Sequence, residues 1–113
     1  MRGFNRSERQ IRINSNINKL KGYKRDWNCV KFNPINSKEH EMKKAEVCFE
    51  ASKKGFDFLT EVEFREGGRT DIYLPEIDFA IEILHTETNE MFLKKKYPVK
   101  RVMPIKTTDE IIL

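Results

Sequence analysis

Hydrophobic and polar positions change their spacing along this chain, and the changes mark its elements. In SKEHEMKKAEVCFEASKKG, residues 37–55, Met42, Ala45, Cys48, Phe49 and Ser52 recur at i, i+3, i+4 spacing, which predicts a helix burying that stripe. Ser37 is placed to cap it. Glu39 and Glu41 suit the positive end of its dipole, Lys53 and Lys54 the negative end, and Gly55 the C′ position. FDFLTEVEFRE then reads as a strand over about 56–65, broken by Gly67-Gly68. Strands at about 69–74 and 79–86 flank the turn Pro75-Glu76-Ile77-Asp78. Thr88 or Asn89 caps a short helix ending before Pro98, 99–105 is a last strand, and TTDEIIL starts a final turn or strand.

Residues 1–36 hold neither period for long. Their many Asn residues favour turns, and WNCVKF, 27–32, reads as a short strand stopped by Asn33-Pro34. The result is a basic arm, 1–36, followed by an α/β domain, 37–113, in the order α-β-β-β-α-β.

Charge adds to this picture. The arm carries nine Lys/Arg against Glu8 and Asp26, a net of +7, so the remainder carries −3 within an overall +4. A basic arm on a mildly acidic body points to a polyanion, with Arg6, Arg9, Arg12, Lys19, Lys21, Lys24 and Arg25 as contacts. Its other reading is a solvated tail. Lys94, Lys95 and Lys96 are either a further phosphate patch or a solvated helix end. Trp27 and Phe32 are expected to pin the arm to the body rather than stack on bases. No apolar run approaches ~18 residues, so no membrane span is expected. The start MRGFNRSERQ has no apolar core of a secretory signal, and Cys29 and Cys48 have no metal-ligand spacing. A cytoplasmic protein with reduced thiols is the expectation.

The hairpin raises the chemical question. Pairing Leu74 with Phe79 puts Ile72, Leu74, Phe79, Ile81 and Ile83 on one face, and Arg69, Asp71, Tyr73, Ala80, Glu82 and Leu84 on the other. Asp71 and Glu82 then oppose each other with Cβ atoms roughly 5 Å apart, where like charges destabilise. Either a divalent cation or a salt bridge to Arg69 would compensate. A one-residue slip would separate the acids. In this register His85 falls on the apolar face, partly buried, and His40 packs in or caps the first helical turn.

Several stretches together carry a resemblance. They are Ser37-Lys38-Glu39-His40 with Glu46 on the helix, Glu61 and Glu63 on the next strand, Gly68-Arg69-Thr70-Asp71-Ile72, and Ala80-Ile81-Glu82-Ile83-Leu84-His85. The chain resembles the PD-(D/E)XK nuclease superfamily over about 37–106, nearest to competence protein CoiA-like nuclease domains and archaeal Holliday-junction resolvases. The resemblance implies a restriction-endonuclease-like mixed sheet of about four strands flanked by helices. It implies Mg²⁺ or Mn²⁺ held by Asp71, Glu82 and the carbonyl of Ile83, with Glu46 assisting through water. It further implies a metal-dependent endonuclease acting on DNA, branched or otherwise structured, and by analogy a homodimer. One departure matters. The position two after the second acid, usually Lys, is Leu84. The cation then comes from Arg69, Lys100 or Lys106, or the fold binds nucleic acid or protein without cutting, or the strand register differs. Arg69 never loses its proton, so it serves at most as a phosphate clamp beside Asp71 and Glu82.

Overall fold

A computed structural model describes residues 6–21, 26–85, 97–111 and 113, with the side chains of residues 6 and 7 left aside. Two helices, α1 (Arg6–Ile17) and α2 (Lys38–Lys53), precede four strands, β1 (Leu59–Glu63), β2 (Arg69–Leu74), β3 (Phe79–Leu84) and β4 (Arg101–Lys106). They form one mixed sheet in the order β1-β2-β3-β4. β1, β2 and β3 are an antiparallel meander, and β4 lies parallel to β3. This is an α/β protein built on a four-stranded mixed sheet. The helix expected after Thr88 or Asn89 falls outside the described residues, as do Lys94, Lys95 and Lys96.

The hairpin register holds as predicted: Leu74 pairs with Phe79, Tyr73 with Ala80 and Ile72 with Ile81. Gly55 takes a positive φ of 83° at the end of α2, the conformation a C′ glycine supplies without a Cβ clash. The two faces of the sheet are both covered. On one, Ile72, Leu74, Ile81, Ile83 and Ile105 pack against Val47, Cys48 and Ala51 of α2. On the other, Leu59, Val62, Phe64, Tyr73 and Ala80 gather with Leu20, and Ile17, Trp27, Tyr97 and Val99 pack around them.

The buried stripe of α2 differs from the predicted one. Met42 and Phe49 are exposed, while Lys44, Val47, Cys48 and Ala51 face the sheet. These four also lie at i, i+3, i+4, i+7. A lysine at the head of the stripe hides it from a hydrophobicity count, and its charge is met inside by Glu41 and Glu61. His85 is likewise exposed, 3.3 Å from Thr107 Oγ1, because β3 ends at Leu84. The last residues form a turn at 107–109 rather than a strand, with Ile111 and Leu113 resting on the core.

The N-terminal stretch is more ordered than its pattern suggests. α1 is polar nearly all round, with Ile13 its one buried hydrophobe, so packing alone would hold it weakly. Charge does the rest. Arg9 binds both Glu76 and Asp57, Asn16 Nδ2 donates to the Pro75 carbonyl, and Lys19 Nζ sits 2.5 Å from Asp78. Residues 27–32 are not a strand but run alongside the start of β1: Asn28 N–H donates to Phe58 O, Lys31 N–H to Thr60 Oγ1, and Thr60 Oγ1–H to Cys29 O. At the far end of β1, Lys21 N–H donates to Glu63 O and Arg65 N–H to Lys19 O. Trp27 packs into the second core as expected; Phe32 does not, and is exposed.

Candidate functional site

The sheet ladder opens where the acids lie. Ile72↔Ile81 is the last pair between β2 and β3, and continuing that register sets Asp71 opposite Glu82. Between β1 and β2, Thr60↔Ile72 and Val62↔Thr70 flank a row in which Glu61 stands opposite Asp71. Three carboxylates, on Glu61, Asp71 and Glu82, therefore originate in one row across three strands. Glu61 itself has φ 53°, left-handed for a residue with a Cβ, at a cost of about 1–2 kcal/mol.

Side chains replace the missing ladder bonds. Asp71 Oδ2 accepts the Ile83 N–H at 2.8 Å, and Thr70 Oγ1 lies 3.1 Å from both the Ile81 and Ile72 carbonyl oxygens, donating its single proton to one at a time. The same Asp71 oxygen is 3.4 Å from His40 Nε2 in the first turn of α2, whose backbone N–H is capped by Ser37 Oγ. The other ring nitrogen, Nδ1, meets Glu41 Oε2 at 2.6 Å. Both nitrogens face carboxylates, so both carry protons. The hydrogen bond to Asp71, with its charge and with Glu41 behind it, outweighs burial and raises the imidazole pKa to about 9.

Glu41 and Lys44 continue the network inward. Lys44 is fully buried; its ammonium donates to the Lys31 carbonyl and to Glu41 Oε1, each at 2.6 Å, and lies 3.7 Å from Glu61 Oε1, near enough for charge attraction but not for a hydrogen bond. Glu41 also accepts from the Asn33 N–H and Asn36 Nδ2. Burial opposes its ionisation, but Lys44, the Asn33 N–H, His40 and Asn36 together hold it down at about 2. Arg69, 56% exposed, reaches Glu61 at 3.9 Å and pairs through its backbone with Glu63; the β2–β3 pairing ends at Ile72↔Ile81, before Arg69 and Leu84 are reached. The linked cluster is thus three anions, Glu41, Glu61 and Asp71, and three cations, His40, Lys44 and Arg69.

The residues implied for a nuclease are partly brought together. Asp71 is at the centre. Glu46 is 59% exposed and paired with Lys43 one turn away; the helix groups that reach Asp71 and its neighbours are His40, Glu41 and Lys44. By strand alternation Glu82 shares the Ala80 face, whereas Ile81 and Ile83 face α2. Leu84 is 1% exposed and packed in the core. Among the described residues no group of three or more His, Cys, Asp or Glu side chains is arranged to hold a metal ion. Asp71 Oδ2 is already shared by the Ile83 amide and the His40 imidazolium, so a dication entering there would have to displace His40 or use Oδ1. Glu41 and Lys44 were legible only as an i,i+3 pair on the stripe of Val47 and Cys48; nothing in the spacing ties His40 to Asp71.

The basic residues divide by use. Arg9 and Lys19 are bound internally, which neutralises Glu76 and Asp78 under α1. Asp78 is further engaged by Tyr73 Oη–H and the Lys100 N–H; burial opposes its ionisation, but these bonds and Lys19 hold it below the usual carboxylate range. Lys21 is 70% exposed, 3.9 Å from Glu63. Arg12 is exposed on α1 and lines an open groove of about 760 Å³ between that helix, the 75–78 turn and the start of β4. Lys24 and Arg25 lie outside the described residues, as does the Arg6 side chain.

No helix among the described residues is long and apolar enough to cross a membrane. Comparison with protein-family models, curated proteins and solved structures returned no match.

Proposed function

We propose that this chain is a nucleic-acid-binding α/β module whose nuclease-like acids serve structure rather than cleavage. The state of Asp71 carries the reading. Its carboxylate closes a gap in the sheet through the Ile83 N–H and faces a His40 that Asp71 first, and Glu41 behind it, keep protonated. Leu84, where the nuclease pattern has its lysine, is core. The excess of basic residues supports the ligand class, since phosphate contacts give affinity that falls with salt.

One observation favours a second reading, a metal-dependent DNA endonuclease working through Asp71 and Glu82 with Mg²⁺ or Mn²⁺. The row of acids coincides with the strained Glu61, and backbone strain of this kind gathers at functional sites.

One experiment separates the two. Labelled single-stranded, duplex, flapped and four-way DNA are incubated with the protein in Mn²⁺, and both anisotropy and cleavage are followed. The binding module retains DNA in a salt-dependent way and yields no product. Product formed by the wild type and lost in Asp71→Ala would replace this reading with the endonuclease. No binding to any of these DNAs would remove both.

A further inference from the structure

We infer that the inner face of α1 is a nucleic-acid contact surface which the body's own carboxylates occupy in the free protein, so that docking of α1 and binding of phosphates exclude each other. The inference rests on the proposed function and adds the regulation of that binding. Arg9, Ile13 and Asn16 lie at i, i+4 and i+7 and share one face of the helix. Arg9 divides its guanidinium between Glu76 Oε1, at 3.0 Å, and Asp57 Oδ2, and Asn16 Nδ2 donates to the Pro75 carbonyl at 2.6 Å. A guanidinium presents the same fork to carboxylate and to phosphate oxygens. Asp57 and Glu76 therefore stand where a phosphate would.

What holds α1 down is exchangeable. Ile13 is its one buried hydrophobe, and its other ties to the body are ionic or polar. Its C-terminal end is anchored separately. Lys21 N–H donates to Glu63 O, Arg65 N–H to Lys19 O, and Lys19 Nζ sits at Asp78. Residues 19–21 thus keep their place on the sheet whether or not Arg9 and Asn16 hold the helix against Asp57 and the 75–78 turn. Two kinds of anion then compete for Arg9: carboxylates of the body, kept close by the short tether, and phosphates of a ligand, which arrive many at a time. The apparent affinity is the intrinsic one lowered by the fraction of chains in which α1 is free. Anything that loosens docking should therefore tighten binding, even where it adds no charge.

The test uses the full chain and a fluorescein-labelled oligo(dT) 20-mer followed by anisotropy. Asp57→Asn with Glu76→Gln removes the competing charges. It is compared with Glu66→Gln and Glu110→Gln, an equal change of net charge at exposed positions. Asn16→Ala removes the tie to Pro75 with no change of charge. Thermal melts check that all three fold. The Asp57–Glu76 pair is expected to bind at least about fivefold tighter than the wild type, Asn16→Ala about two- to fivefold tighter, and the control pair within about twofold. Adding Arg9→Gln to the tight pair should take back most of its gain. Docking itself is read by Ile13→Cys in a Cys29→Ser background. That buried position should react with a thiol reagent at least about tenfold faster at saturating oligo(dT), while buried Cys48 stays silent. Equal tightening by the control pair, no tightening in Asn16→Ala, or an unchanged thiol rate in protein that binds would overturn the inference and leave the proposed function standing. Failure of the wild type and of the Asp57–Glu76 pair alike to bind would overturn both. Polyglutamate raising the thiol rate as far as oligo(dT) does would reassign the face to an acidic protein segment.

Discussion

Replacing Lys44 with Met tests whether the inner network is a structural necessity. Met keeps the volume and the unbranched shape, so the packing loss should stay below about 1.5 kcal/mol. The electrostatic loss is larger. Lys44 is fully buried, lies 2.6 Å from Glu41, as near as His40 does, and is closer to Glu61 than Arg69 is. Glu41 would keep Asn33, Asn36 and His40. Among the described residues Glu61 would keep Arg69, at 3.9 Å, with an Oε1 that already lacks a hydrogen bond there. Removing one partner of a buried pair typically costs about 3–5 kcal/mol, against a total stability of roughly 5–15 kcal/mol for a domain. Urea unfolding followed by Trp27 fluorescence and far-UV circular dichroism should show the midpoint falling by about 2 M, with the slope unchanged at about 1–3 kcal/mol per M. Adding Glu61→Gln should recover part of the loss, because the orphaned charge goes with it. A loss below about 1 kcal/mol, or a gain, would refute the account, since the network would then not be what holds α2 on the sheet.

Other consequences follow from the same geometry. His40 should titrate near pH 9 by NMR of its ring protons. Its pKa is raised on folding, so its contribution to stability is full below about 6.5 and fades as pH climbs through about 9; a midpoint near 6.5 would break the Asp71–His40–Glu41 link. Glu41 has the opposite sign: its folded value of about 2 gives stability present above its ordinary 4.5 and lost as pH falls through 2, and Glu41→Gln should flatten that acid limb. Arg9→Leu should remove the ion pairs that tie α1 to buried Glu76 and to Asp57, cost about 3 kcal/mol, and speed hydrogen exchange in α1 ahead of β2 and β3. Cys29 should react at once with a thiol reagent, whereas Cys48, whose thiol burial pushes up to about 12, should react only on unfolding.

The sheet was more legible than the helices for a physical reason. The 75–78 turn and the alternation of Ile72, Leu74, Phe79 and Ile81 leave one register that buries both strands, and that register is the one observed. The end of that pairing was not legible. Whether backbone or side chain satisfies the Ile83 N–H is decided by a carboxylate reaching across, which no periodicity records. In α2 the hydrophobic count picked Met42 and Phe49 because it treats lysine as outward-facing, and Lys44 is neutralised from within. α1 carried no apolar signal because ion pairs to the 75–78 turn hold it. Of the candidate site, Asp71 could be found from its place in the hairpin, whereas His40 and Glu41 required the packing angle of a helix on a sheet.

The pairing of the N-terminal stretch with β1 bears on what the border of the sheet offers to other chains. A border strand with bare amides and carbonyls is a template on which another chain can grow a sheet. Here the template is occupied: residues 28–31 lie along the start of β1, and Lys19 and Lys21 bond with Arg65 and Glu63 at its end. The opposite border, β4, is interrupted by Pro104, which has no amide hydrogen to offer a newcomer. Trimming the chain to residue 37 would therefore strip more than positive charge. It would uncover the β1 border, and the shortened chain is expected to self-associate through intermolecular strand addition, which light scattering would register.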